Sequence, residues 1–221
     1  SNVAVGYDAL GKIVDNAAAN VAIGYAAMED AVDGMYYSTC MGYAAGKDLT
    51  TGNNNLCLGY NAGTSSSPSG TLTTEANEIC LGNDSISQAH VEVDWSIGSD
   101  ERDKTDITAL DLGLAFVNDL TPVTYRWDKR SRYLSEGSDD LSSVTPDGTH
   151  KEDQLDLGFK AQEVEALELA AGYSVASKTN LTTTVGGEGE KYSLKYSKFV
   201  PILVKAVQEL SAEIDRLKEQ N

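Results

Sequence analysis

Five copies of one short phrase constrain this chain more than anything else in it. NVAVGYDAL starts at Asn2, NVAIGYAAM at Asn20, STCMGYAAG at Ser38, NLCLGYNAG at Asn55 and EICLGNDS at Glu78. Aligned on their glycines, Gly6, Gly24, Gly42, Gly59 and Gly82, the copies place Ala4, Ala22, Cys40, Cys57 and Cys80 in one slot two residues upstream. Val, Ile, Leu or Met mostly flank that slot. Neighbouring residues of a strand point to opposite faces, so each phrase offers large aliphatics on one side and a small residue on the other. A lone strand of this kind cannot bury both faces. Copies stacked within one chain, or set against equivalent chains around an axis, can. The spacing between glycines is 17 or 18 residues until it widens to 23 between Gly59 and Gly82. Connectors such as TTGNNN and GTSSSPSG read as loops.

The same slot accounts for the cysteines. All three occupy it and none forms a CxxC pair, so they read as small hydrophobes and not as a zinc site or a closed disulfide set. No metal and no cofactor is expected. The formal charge of -17 disfavours nucleic acid and anionic membrane surfaces. No apolar run of about 20 residues suggests membrane insertion. Because the sequence opens in mid-pattern with SNVAVGY, it reads as part of a longer chain.

A degenerate sixth copy, DWSIGSD, puts Ser96 in the small slot and Gly98 in the glycine slot, and there the character of the sequence changes. SDERDKTDITAL is charged and helix-competent, with Ser99 or Asp100 able to cap. A domain boundary is therefore expected at Ser99, dividing residues 1–98 from 99–221. Ile107, Leu110, Leu114, Val117 and Leu120 predict an amphipathic helix over 106–120. TPVTYRW alternates as a strand, and 131–154 reads as a long polar loop. LGF and AQEVEAL predict a strand and then a helix, and TTTVGGEGEKYSLKY predicts a hairpin through Gly186 and Gly187. Val200, Leu203, Val207, Leu210, Ile214 and Leu217 space a coiled-coil seam along the last helix.

Two resemblances follow from these residues. The phrase N-x-A-I-G-x-x-A resembles the head repeats of trimeric bacterial adhesins and similar repeats of phage fibres, which implies a trimeric β-roll or β-prism over 1–98. GSDERDKTDI, LAFVNDLTPVTYRW, LGFKAQEVEAL and YSLKYSKFVPILVKAVQELSAEIDRL resemble, in order, the intramolecular chaperone domains of phage endosialidases, tail fibres and neck appendages, the S74 peptidase family. The expected fold class is thus mixed: an all-β repeat followed by an α+β chaperone domain ending in a coiled-coil helix.

The second resemblance also implies an activity. Such domains assemble as homotrimers on a parent fibre or spike chain and then cut themselves free before a serine. Carried onto this chain, the bond is Gly98-Ser99, the nucleophile Ser99 and the base Lys104, with Glu163 a candidate carboxylate support or a plain surface charge. Members often carry histidine before the serine; here it is Gly98. The setting implied is a virion tail fibre, assembled in the host cytoplasm, with a host-surface receptor as a further partner. The alternative is a structural trimer or adhesin whose chaperone never cuts. Chemically, a serine needs a base to take its proton. A lysine can be that base only if burial destabilises its cation by about 4–5 kcal/mol. Five residues of helix set side chains about 140° apart, so Ser99 must lie on the turn before any helix that holds Lys104.

Overall fold

A computed structural model describes residues 1–13, 15–135, 138–186 and 191–220. The chain divides into two compact units. One comprises residues 1–87, 125–156 and 185–192; the other comprises 88–124, 157–184 and 193–221.

In the first unit the repeats stack on each other within one chain. Strands β1 (Val3–Val5), β2 (Val21–Ile23), β3 (Thr39–Met41), β4 (Leu56–Leu58) and β5 (Ile79–Leu81) form a parallel sheet in sequence order. The register matches slot to slot, Ala4 to Ala22 to Cys40 to Cys57 to Cys80. From Ala22 onward the small slot is the buried one, packed against Ala27, Met28, Ala45, Leu49 and Leu72. The flanking aliphatics face outward, Val5 57% exposed and Ile79 70%. Met28, Leu49 and Leu72 from the connecting segments fill the interior, so the strands contribute only a methyl or a thiol there and turn their larger residues outside.

Two further columns fix the rungs. The residue before each strand hangs a polar side chain on the backbone of the next rung. Asn2 Oδ1 accepts from Asn20 N (3.0 Å), Asn20 Oδ1 from Ser38 N (3.0 Å), Ser38 Oγ from Asn55 N (3.1 Å) and Asn55 Oδ1 from Glu78 N (2.9 Å). Asn20, Ser38 and Asn55 are buried, so each bond replaces one that water would otherwise supply. After the first four glycines the tyrosines stack, Tyr7 on Tyr25 (5.4 Å), Tyr25 on Tyr43 (5.1 Å) and Tyr43 on Tyr60 (5.5 Å). The glycine is obligatory at this corner. Gly24 has φ +136° and a Cβ there would lie 2.2 Å from the carbonyl oxygen of Gly42.

The widened interval before Gly82 is no open loop. Thr64, Ser65, Ser67 and Leu72 are buried, and Ser67 Oγ lies 2.7 Å from Cys80 Sγ. Described residues of the segment 131–154, which the sequence reads as a long polar loop, are also held by specific contacts. Tyr133 donates its hydroxyl to Asp128 (2.8 Å) and accepts from His150 N (3.2 Å), while Asp128 accepts from Gly148 N (2.8 Å). Lys191 pairs with Asp84 (2.7 Å), which also accepts from Ser131 Oγ (2.6 Å).

Strand β6 (Val123–Tyr125) pairs with β7 (Asp156–Gly158), and β8 (Thr183–Gly186) with β9 (Lys191–Leu194). The expected hairpin turn after Gly186 lies outside the described residues.

The second unit closes around Leu112, Phe116, Val164, Phe199 and Ile202. Helix α1 (Leu114–Asp119) is much shorter than the helix expected over 106–120. Asp106 sits at φ 52°, and Gly113 begins the helix with no side-chain cap of its own. Its cap comes from afar: Glu209 Oε2 accepts from Leu114 N at 2.7 Å. A Cβ on Gly113 would lie 2.2 Å from that oxygen.

Helices α2 (Ala161–Ala170) and α3 (Phe199–Glu219) fall where their periodicity places them. Of α3, Phe199, Ile202 and Ala206 are buried, while the seam of Val200, Leu203, Val207, Leu210, Ile214 and Leu217 is exposed.

Glu168 on α2 is buried, with no cation among its recorded partners. Its carboxylate accepts from Thr182 N (2.6 Å), Thr182 Oγ1 (2.7 Å) and Thr183 Oγ1 (2.5 Å). Burial alone would push its carboxyl up, but these donors outweigh it and hold the group below the usual range. A depressed folded pKa means that its contribution to stability is present above the unfolded value and is lost as pH falls through the folded one. Glu168→Ala should therefore cost about 2–4 kcal/mol at pH 7 in a denaturant titration, and the deficit should shrink below about pH 4.

Asp48 is the opposite case. Burial first, then the nearby Asp139, push its carboxyl up to about 6. A raised carboxyl pKa erodes stability as pH climbs from the unfolded value to the folded one. Asp48→Asn should stabilise the repeat unit by about 1–2 kcal/mol at pH 7, after allowance for solvent screening, and leave it unchanged near pH 4. Thermal melts at the two pH values measure both effects.

Candidate functional site

The stretch around Ser99 is organised by its own nearest neighbours. Residues 101–103 form a single 3-10 turn, where the sequence suggests a longer helix. Asp100 caps it, Oδ1 accepting from Arg102 N at 2.9 Å, and the Arg102 guanidinium clamps the same carboxylate (2.6 Å). The Asp100 carboxyl is held below its usual range by the Arg102 side chain first and the Arg102 backbone N–H second. Lys104 ends the turn in an extended conformation, φ -117° and ψ 145°. Ser99 stands before the turn and Lys104 after it, so the helical divergence of side chains five residues apart does not apply.

The two side chains meet. Lys104 Nζ donates to Ser99 Oγ at 2.8 Å and to the Ser99 carbonyl oxygen at 3.1 Å. Both residues are exposed, and the position of a Cβ on Gly98 is open space, so the carbonyl before Ser99 is unobstructed by its own residue. Base catalysis requires the reverse of the Lys104 donation, a hydroxyl donating to a neutral amine.

Glu163 lies on α2, exposed, in an ion pair with Lys160 at 2.7 Å. With Leu120, Phe159, Val164 and Leu167 it lines a shallow cavity of about 210 Å³. Neither histidine contacts the pair: His90 meets Gln88 (2.9 Å), and the His150 ring lies edge-on to Tyr133. Among the described residues no group of three or more His, Cys, Asp or Glu side chains could hold a metal ion, and no helix is long and apolar enough to cross a membrane.

Comparison with known families bears on this segment directly. Residues 99–173 match the family described as the chaperone of endosialidase, Peptidase_S74. The match begins at Ser99 itself and runs through the 3-10 turn, α1, β6, β7 and α2. No curated protein and no solved structure matches the chain. Over residues 99–173, which include the Ser99 and Lys104 pair, the chain is thus similar to the chaperone of endosialidase family.

Proposed function

We propose that residues 99–221 are an intramolecular chaperone that assembles three copies of this chain and then severs the Gly98-Ser99 bond, with Ser99 as nucleophile and Lys104 as general base. The single observation carrying this reading is the 2.8 Å contact between Lys104 Nζ and Ser99 Oγ at the residue where the family match begins. Residues 1–98 are then the end of a viral tail fibre or spike, which presents the virion to a host-surface receptor. After the cut the chaperone leaves it.

Assembly and chemistry are linked through solvent. In the single chain Ser99 and Lys104 are exposed, and so are the α3 seam and the outward aliphatics of the repeats. Apolar surface of that extent marks an interaction face. Burying it among three copies, with α3 as a coiled coil, encloses the pair, and loss of water favours the neutral amine. Lys104 then accepts the hydroxyl proton and Ser99 Oγ attacks the Gly98 carbonyl carbon. The C–N bond breaks as the Ser99 nitrogen takes up a proton, leaving Gly98 as an ester on Oγ. Water hydrolyses the ester, releasing a carboxylate on Gly98 and restoring the Ser99 hydroxyl beside its new free amine. The free N–H groups of the following turn are suited to hold the oxyanion.

Intact mass of freshly expressed protein tests the cut, which yields a fragment starting at Ser99. Ser99→Ala should abolish it while leaving the trimer in place. Lys104→Ala should slow it by about 10²–10⁴-fold. Lys104→Arg should fail as fully, because a guanidinium keeps the donors but does not give up its proton. A wild-type trimer that stays whole on prolonged incubation would leave the non-cutting structural trimer as the correct reading.

A further inference from the structure

The bond between Gly98 and Ser99 divides the sequence but not the first compact unit. Residues 125–156 and 185–192 follow that bond in the chain, yet they belong to the same unit as residues 1–87, which precede it. Their polar contacts gather on the last coil of the repeats. Lys191 Nζ donates to Asp84 Oδ2 (2.7 Å) and to the Ser67 carbonyl oxygen (2.5 Å), and Ser131 Oγ donates to the same carboxylate oxygen (2.6 Å). Lys129 Nζ donates to the Asp84 carbonyl, and Asp139 accepts from Ser65 Oγ at 2.8 Å. Each of these bonds joins a residue on one side of Gly98 to a residue on the other.

The sequence shows why they converge on this coil and not on an inner one. Two residues after the repeat glycine, where the final copy has Asp84, the three copies before it have Ala26, Ala44 and Asn61. None of those offers a carboxylate. Ser65 and Ser67 lie in the interval that widens to 23 residues between Gly59 and Gly82, so the irregular spacing supplies the remaining partners.

We infer that cutting at Gly98 does not by itself free the following domain: the Lys191 and Asp84 pair, with the bonds around it, latches that domain to the final coil, and departure is a separate step. This rests on the chaperone reading above and adds what holds the two products together once the bond is gone.

Two observations carry the latch. First, it is shielded. An ion pair in full contact with water holds little, because solvent replaces either partner at small cost. Here the side chains of Lys191 and Asp84 are only 15% and 13% exposed, so parting them requires both charges to be rehydrated together. Second, the cut leaves it untouched. Residues 91–98 are all exposed and, among the described residues, their backbone makes no hydrogen bond to another backbone group. Severing the chain there removes the tether, and with it the high local concentration that drives rebinding, but breaks none of the bonds that set the rate of leaving.

The test uses the full-length chain with Ser99→Ala and a site-specific protease sequence inserted after Gly98, where the exposed backbone tolerates it. This chain is cut at will, whatever the dyad does. The latch lies within one chain, so it can be read on one copy or on three. Denaturing electrophoresis verifies the cut, and size exclusion under native conditions shows whether the two fragments travel together. The expected result is one peak holding both. Lys191→Ala should speed their separation at least about thirtyfold. Ser131→Ala, a milder change at the same carboxylate, should speed it about tenfold and serves where the lysine variant fails to fold. Fragments that part as soon as the bond is cut, or that part no faster in these variants, overturn the latch and leave the dyad reading standing. The dyad is decided separately, by whether the chain with Ser99 intact cuts itself.

Discussion

Everything in the repeat unit depends on how little room lies between one rung and the next return of the chain. A column of alanine and thiol side chains is all that the interior accepts from the strands, and Cys40, Cys57 and Cys80 fill its last three places. The same closeness forces glycine where the carbonyl of the next rung approaches, and it brings the tyrosine rings to stacking distance. Hydrophobic burial alone would allow one rung to slide on another. The Asn20, Ser38 and Asn55 side chains prevent that, since a slip of one residue would leave several buried polar groups without partners.

Much of this was legible in the sequence because the information is local and repeated. The strand positions, the small slot and the glycine corner can all be read from five aligned copies. The direction of the faces could not be read, because alternation says that two sides differ but not which is inside. The contacts of the described residues in 131–154 were also hidden. Tyr133 and Gly148 are separated by polar residues of no periodic pattern, and both donate to the one carboxylate of Asp128. The truncation of α1 has a similar origin. Its periodicity ran correctly through Leu114 and Val117, but the capping group comes from Glu209, 95 residues away, which no local rule anticipates.

The Ser99 and Lys104 pair was named through the family resemblance alone, since SDERDK by itself reads as a charged helix cap. Both residues flank one short turn, so their meeting depends on five residues and on the Asp100 and Arg102 clamp within them. The geometry of the contact is thus set locally, whereas the enclosure on which base catalysis depends is left to association. Glu163, read from the sequence as either a carboxylate support or a plain surface charge, pairs with Lys160 in the single chain.

The stacked coils have one consequence for how such a chain changes over time. Because each passes the same contacts to its successor, duplicating or deleting a unit of about eighteen residues alters the array by one spacing of roughly 4.8 Å and creates no new kind of junction. The serine-rich segment that reaches Cys80 stays at the final coil whatever the number before it. Length is thereby an adjustable quantity, open to recombination between near-identical units, while the terminus that seals the array is inherited unaltered.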